Sequence, residues 1–179
     1  MAFDISEFRT NMKMDGARPN LFEIFVSIPQ GIEGTSSGNA TKDLKFKAKS
    51  GQIPGSTIGS VTQHYFGREL KFAGNRTFPD WTITIINDED FLVRNAMESW
   101  LNSINSHNGN ARASSTGYTS TASVTQFEKT GDIAKQYFFI GLFPIDLSPI
   151  ELDWGTNDSI EEFTVTFAYQ WWEADKVTT

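Results

Sequence analysis

Residues 160–172, I-E-E-F-T-V-T-F-A-Y-Q-W-W, constrain the fold of this chain more than any other stretch, because their side chains alternate in character with a period of two. Phe163, Val165, Phe167, Tyr169 and Trp171 fall on one face, and Glu162, Thr164, Thr166, Ala168 and Gln170 on the other. That pattern predicts one long, half-buried β-strand. Residues 20–28 (N-L-F-E-I-F-V-S-I) and 80–87 (D-W-T-I-T-I-I-N) read the same way. So do 58–65, 68–72, 124–129 and 134–141, with Gly51, Pro54, Gly55 and Gly59 punctuating a turn region. Residues 44–49, L-K-F-K-A-K, alternate apolar with basic and predict a strand whose solvated face carries Lys45, Lys47 and Lys49.

At Asn87 the period changes. Asn87 suits a helix N-cap, and Asp88, Glu89 and Asp90 load the first turn with negative charge. Phe91/Leu92, Ala96, Trp100 and Ile104 then recur at helical spacing, predicting an amphipathic helix over about 88–103. Residues 31–42 and 105–125 are rich in Gly, Ser, Asn and Thr and are expected to be flexible loops, the second long for a connection inside a domain. Because 106–123 offers little apolar burial, its removal is expected to leave the fold intact. A connection over 144–159 precedes the final strand, and a polar arm precedes the first. Roughly seven strands and one helix make a mainly β (α+β) chain, a two-sheet antiparallel β-sandwich or barrel with one flanking α-helix. Without repeats or a splitting linker, residues 1–179 are expected to form one domain. At 179 residues, such a chain buries roughly two-thirds of its unfolded surface without cross-links.

Composition narrows function by exclusion. The absence of cysteine removes disulfides, thiol catalysis and Cys-liganded zinc. Fifteen basic against 22 acidic residues give a net charge of −7, which disfavours high-affinity binding of nucleic acid or anionic lipid. The start, Met1-Ala2-Phe3-Asp4, lacks the basic segment and apolar core of a signal peptide, and no run approaches the ~20 apolar residues of a membrane span. A product made in the cytoplasm, without membrane insertion, is the expectation. Matches to N-x-S/T at Asn39, Asn75 and Asn157 carry no weight in that setting.

Sequence motifs for chemistry are missing. His64 and His107 have no ligand spacing, the glycines at 51, 55 and 59 fit neither a phosphate loop nor a dinucleotide fingerprint, and no nucleophile elbow occurs. Asp88-Glu89-Asp90 reads as a helix-start cluster rather than a cation site. No cofactor, metal or enzymatic activity is expected. Trp81, Trp154, Trp171 and Trp172 read as core or interface residues rather than ligand platforms. The lysine stripe reads as a solvated face, or as a partner for acidic residues of a neighbouring subunit, more readily than as a phosphate contact.

Four blocks place these readings in a family: A-R-P-N-L-F-E-I (17–24), A-G-N-R-T-F-P-D-W-T-I-T-I-I-N-D-E (73–89), G-L-F-P (141–144) and L-D-W-G-T-N-D-S-I-E-E-F-T-V-T-F (152–167). In this order they resemble the tail tube proteins of T-even-like contractile-tailed bacteriophages. The N-terminal arm and the loops at 31–42 and 105–125 depart from the family pattern. The resemblance implies six copies in a ring whose sheets complete a larger barrel, with rings stacked into a tube that conducts double-stranded DNA without sequence-specific binding. It also implies a virion location and tail sheath, baseplate, tape-measure and tail terminator proteins as partners. On it rest two placements. Lys45, Lys47, Lys49, Arg68, Glu69 and Lys71 are expected at the lumen or between subunits. Asp88, Glu89, Asp90, Arg94 and Glu98 are expected on a helix facing outward to a sheath. The inner tube of a phage-derived protein injection system is a close variant. A β-sandwich module binding a carbohydrate or peptide on its aromatic residues and a hydrolase with a dispersed triad are the alternatives from other classes.

Overall fold

The computed structural model of the chain describes residues 5–12, 16–29, 32, 37–109 and 111–175. Its centre is a seven-stranded, all-antiparallel sheet that curls into a nearly closed barrel. Along the barrel run β1 (Phe22–Val26), β6 (Ser120–Phe127), β7 (Ile133–Leu147), β8 (Glu162–Ala168), β5 (Trp81–Ile86) and the short β2 (Ala48–Ser50), in that order. A further strand, β9 (Trp171–Asp175), pairs with β7. The second sheet is the hairpin of β3 (Thr57–Tyr65) and β4 (Arg68–Thr77). The helices are α1 (Ile5–Asn11), α2 (Ser37–Lys47), α3 (Leu92–Ile104) and the single turn α4 (Ser115–Tyr118). Gly51, next to β2, sits where a Cβ would lie 2.4 Å from Ile24 Cδ1, so glycine lets this segment approach β1 without displacing the Ile24 side chain.

The expected single strand over 160–172 is two strands. β8 pairs with β5 on one side and with Phe143–Leu147 of β7 on the other, whereas β9 pairs with Gln136–Ile140 of the same β7. The chain turns at Tyr169–Gln170, where the Gln170 N–H donates to the Ile140 carbonyl. Opposite that corner, Gly141 has φ +67°, and a Cβ there would lie 2.7 Å from Gln170 Cγ. Phe163, Val165 and Phe167 are buried as the alternation predicts; beyond the corner the faces exchange, so Trp171 is exposed and Trp172 half-buried. Periodicity reports faces but not a change of pairing partner.

Residues 44–49 differ more: only Ala48 and Lys49 of that expected strand lie in one, β2, and 44–47 are helical. Leu44 and Ala40, both buried and four residues apart, lie on α2 and pack it against β1, which leaves Phe46 81% exposed. Six alternating residues fit a strand or an exposed helix end equally, and the helical partner Ala40 lay in the segment read as loop. Of that expected loop, residues 31 and 33–36 lie outside the described residues and 37–42 are helical.

α3 begins at Leu92, four residues later than its charge pattern suggests, and buries Val93, Ala96, Met97 and Trp100. Asn87 does not cap it: its side-chain amide donates to Glu161 Oε2 and its backbone N–H to the Glu161 carbonyl, tying the end of β5 to the start of β8. Asp88 and Asp90 act in the preceding turn instead, Asp90 Oδ1 accepting the Leu92 N–H. The expected loop over 105–125 ends early, because β6 starts at Ser120 and buries Ala122. Its anchor is Tyr118, whose carbonyl accepts the Trp100 indole N–H and whose ring meets Phe143 edge-on at 5.4 Å.

Aromatic rings join these layers. Trp81 of β5 stacks on Phe139 of β7 at 4.3 Å, Phe167 of β8 touches both Trp81 and Trp100, and Phe139 meets Tyr169 edge-on. Trp81→Ala is therefore expected to cost about 3–5 kcal/mol of stability in denaturant titration, while Phe46→Ala stays within about 0.5 kcal/mol. Deleting residues 106–123, contrary to the expectation from composition, removes Tyr118 and the first half of β6. That deletion is predicted to yield no soluble folded protein on size-exclusion chromatography.

Candidate assembly surfaces

Among the described residues, strands β3 and β4 pair only with each other, and every residue in them except Gly74 is exposed. A lone hairpin is marginal in water, so its base is where its position is set. The Trp81 indole N–H donates to the Gln52 carbonyl and the Trp172 indole N–H to the Gly55 carbonyl, clamping the segment that leads into β3. Just beyond β4, Phe78 packs against Tyr169 at 6.0 Å. At the tip, Phe66 (φ 45°) and Gly67 (φ 78°) both have positive φ, the two-residue turn that matches strand twist, and Phe66 is 91% exposed.

Register divides the hairpin into two unlike faces. Val61 lies opposite Phe72, Gln63 opposite Leu70 and Tyr65 opposite Arg68. The intervening pairs are Ser60 with Ala73, Thr62 with Lys71 and His64 with Glu69. Side chains of successive pairs point to opposite faces, so one face is largely apolar and the other polar. Of the expected lumen or interface residues, Glu69 and Lys71 therefore stand on the polar face and Arg68 on the rim of the apolar one.

The three other lysines of that set are not free. Lys45 pairs with Glu23 at 3.1 Å, Lys49 with Glu162 at 2.5 Å, and Lys47 with Asp43 and Asp88 at 3.2 and 2.7 Å. Lys45 and Lys47 lie on α2 rather than on a strand. Lys47, only 18% exposed, links α2 to the turn before α3. Of the expected outward residues, Asp88, Glu89, Asp90 and Glu98 are exposed; Arg94 is half-buried, donating to Glu98 and to the Ser148 carbonyl and lying 5.2 Å from the Phe163 ring centroid.

Sequence reasoning missed the outer face of β1, β6, β7 and β9. Register aligns Phe25, Ser123, Phe138 and Glu173 in one row, and Glu23, Thr125, Gln136 and Asp175 in the next. Ile24, Val26, Val124 and Phe139 point the other way into the core. β1 and β9 each pair on one side alone among the described residues, leaving a row of backbone donors and acceptors at each margin. The W-E-A-D alternation of β9 carries this signal, masked in the sequence by the longer alternation over 160–172. Trp154 is fully exposed, over an open recess lined by Ser148, Ile150, Asp153 and Glu161. Among the described residues, no group of three or more His, Asp or Glu is placed to hold a metal ion, and no helix is long and apolar enough to cross a membrane.

A two-faced hairpin held out from a barrel with unpaired margins defines a β-structured chain whose own fold leaves an apolar face and strand edges exposed among the described residues. Comparison with known proteins gives the class its family: residues 17–175 match the phage tail tube protein family, and the chain belongs to it. It is 30% identical over 162 residues to the tail tube protein gp19 of Enterobacteria phage T4, covering 89% of this chain and 92% of that one. It is 29% identical over 168 residues to the tail tube protein of Serratia phage KSP90, covering 92% and 93%. Its fold is similar to a chain in the baseplate of the anti-feeding prophage, with TM-score 0.65, 10% identity and coverage of 92% and 98%. It also resembles a chain in the sheath–tube complex of an extracellular contractile injection system, with TM-score 0.61, 13% identity and coverage of 98% and 100%.

The Lys47–Asp88 pair gives a pH test. Asp88 lies below its ordinary 3.8 because Lys47 hydrogen-bonds its carboxylate, aided by the Glu89 N–H and the lysine's charge. Burial pushes Lys47 down, but hydrogen bonds from its ammonium to Asp88 and Asp43, together with their charges, hold it above 10.5. A depressed carboxylate contributes stability above its unfolded pKa and loses it as pH falls through the folded value; a raised lysine contributes below 10.5 and loses it above. Asp88→Asn is expected to lower the melting temperature by a similar margin throughout pH 5–9. The gap to wild type should close as pH falls below about 3.8.

Proposed function

We propose that this chain is the inner tube subunit of a contractile phage tail, assembling as stacked six-membered rings around a channel that conducts double-stranded DNA into the host. The observation that carries this reading is the hairpin. A chain with its own aromatic core nevertheless holds out a ribbon whose apolar side chains, Val61, Leu70 and Phe72, stay exposed among the described residues. Natural proteins suppress such surfaces unless they use them. Family membership says which use, and residues 1–179 act as a single tail-tube domain.

In the ring, β1 of one copy and β9 of the next supply open margins for lateral closure, and a head-to-tail contact closes into a ring when its rotation permits. The outer face of that sheet, carrying Glu23, Glu173 and Asp175, lines the channel. The neutralised lysines 45, 47 and 49 leave no cation stripe there to hold phosphates, which favours sliding over binding. Glu69 and Lys71 lie at contacts between subunits, and the exposed residues around α3, Asp88, Glu89, Asp90 and Glu98, face outward to a sheath. The baseplate, tape-measure and terminator proteins are the remaining partners, and the virion tail is the location. The role is structural, without a catalytic site. Similar folds determined within baseplate and sheath–tube assemblies support the architecture.

Negative-stain electron microscopy over a concentration series tests the proposal. Wild type is expected to give hollow rings or tubes, alone or on an added baseplate, whereas Leu70→Asp with Phe72→Asp stays monomeric with unchanged circular dichroism. A monomer that forms no ring even on a baseplate sinks the conduit reading.

A further inference from the structure

Helix α1 carries a second apolar stripe that is exposed among the described residues. It buries no residue, and Ile5, Phe8 and Met12, at spacings of three and four, share one side; the Met12 N–H continues the helix by donating to the Phe8 carbonyl. Ile5 is 75% and Phe8 63% exposed. The family match begins at residue 17, so α1 lies outside the part of the chain that the family defines.

We infer that α1 of one copy packs its Ile5–Phe8–Met12 stripe onto the apolar face of the β3–β4 hairpin of another copy, over Val61, Leu70 and Phe72. Three features select this occupant. The dimensions agree: at 1.5 Å per residue the stripe runs about 10 Å, and the three register pairs from Val61–Phe72 to Tyr65–Arg68 run about 13 Å along the strands. The two surfaces differ, so their union is head-to-tail and repeats from copy to copy, whereas a hairpin paired with its own symmetry mate would stop at a dimer. The size is also apt. Three side chains against three or four fall well short of the roughly 1,200 Å² that a stable pair of proteins buries. The contact is therefore weak between two free copies and becomes effective when other contacts hold the copies together. This inference rests on the tube reading for its setting and adds a named pair of surfaces to it.

The chain has no cysteine, which makes disulfide trapping clean. Phe8→Cys and Leu70→Cys are prepared as separate variants, mixed, assembled and oxidised mildly. Lys71→Cys, on the opposite face of the hairpin, replaces Leu70→Cys in the control. The expected result is a cross-linked heterodimer as the main product of the 8/70 mixture, at least tenfold above the 8/71 control. The double variant Phe8→Cys/Leu70→Cys should give a ladder of multimers. Rings whose 8/70 yield does not exceed the control overturn the inference while leaving the conduit intact. A double variant that oxidises only within one chain also overturns it, since α1 would then cover its own hairpin. Wild type without rings removes the conduit, and a preferential 8/70 cross-link under those conditions still establishes the contact.

Discussion

The stack of Trp81 on Phe139, with the indole nitrogens that surround it, is the contact on which the rest of the arrangement depends. Trp81 fills the space between β5 and β7 and offers its N–H to Gln52, while Trp172 on β9 offers its own to Gly55. Two buried or half-buried rings thereby place dipoles where a loop would otherwise wander. Aromatic residues suit this because one side chain supplies both a large apolar surface and a directional donor. The hairpin beyond Gly55 buries almost nothing, so its direction is inherited from the core through these two hydrogen bonds and the Phe78–Tyr169 contact.

Charge follows a comparable economy. The lysines spaced by two in sequence diverge in space because α2 ends between Lys47 and Lys49, and each meets a different carboxylate. Lys45 goes to β1, Lys47 to the turn before α3, and Lys49 to β8. What looks like a basic stripe becomes three struts joining neighbouring elements. Exposed pairs of this kind contribute little singly, but they remove local positive potential from a chain whose net charge is already −7.

Most strands were legible in the sequence because period-2 alternation survives wherever one face is buried, as at Phe163, Val165 and Phe167 or Trp81, Ile83 and Ile85. The readings failed where two structures share one local pattern. L-K-F-K-A-K alternates, yet its apolar register with Ala40 is helical. Asn87 has the chemistry of a cap, but Glu161, 74 residues away, takes its amide. The corner at Tyr169–Gln170 depends on Gly141, which belongs to a different strand. The hairpin was visible as two strands, and its faces emerged only from register, since the bulge between Ile58 and Ser60 and the turn at Phe66–Gly67 decide which residues stand opposite. Sequence resemblance supplied the family, and the structure supplied the surfaces that a local pattern cannot show.

Strand β7 runs unbroken for 15 residues, paired along its first part with β6 and β9 and along its last with β8. One covalent backbone is thus common to the two ends of the barrel. Force applied at the β9 margin travels along peptide bonds to the layer that carries Trp81 and α3, without crossing a boundary held only by side-chain packing. Shear between the two parts would require several ladder hydrogen bonds to break together, so the two ends of the barrel move as one block.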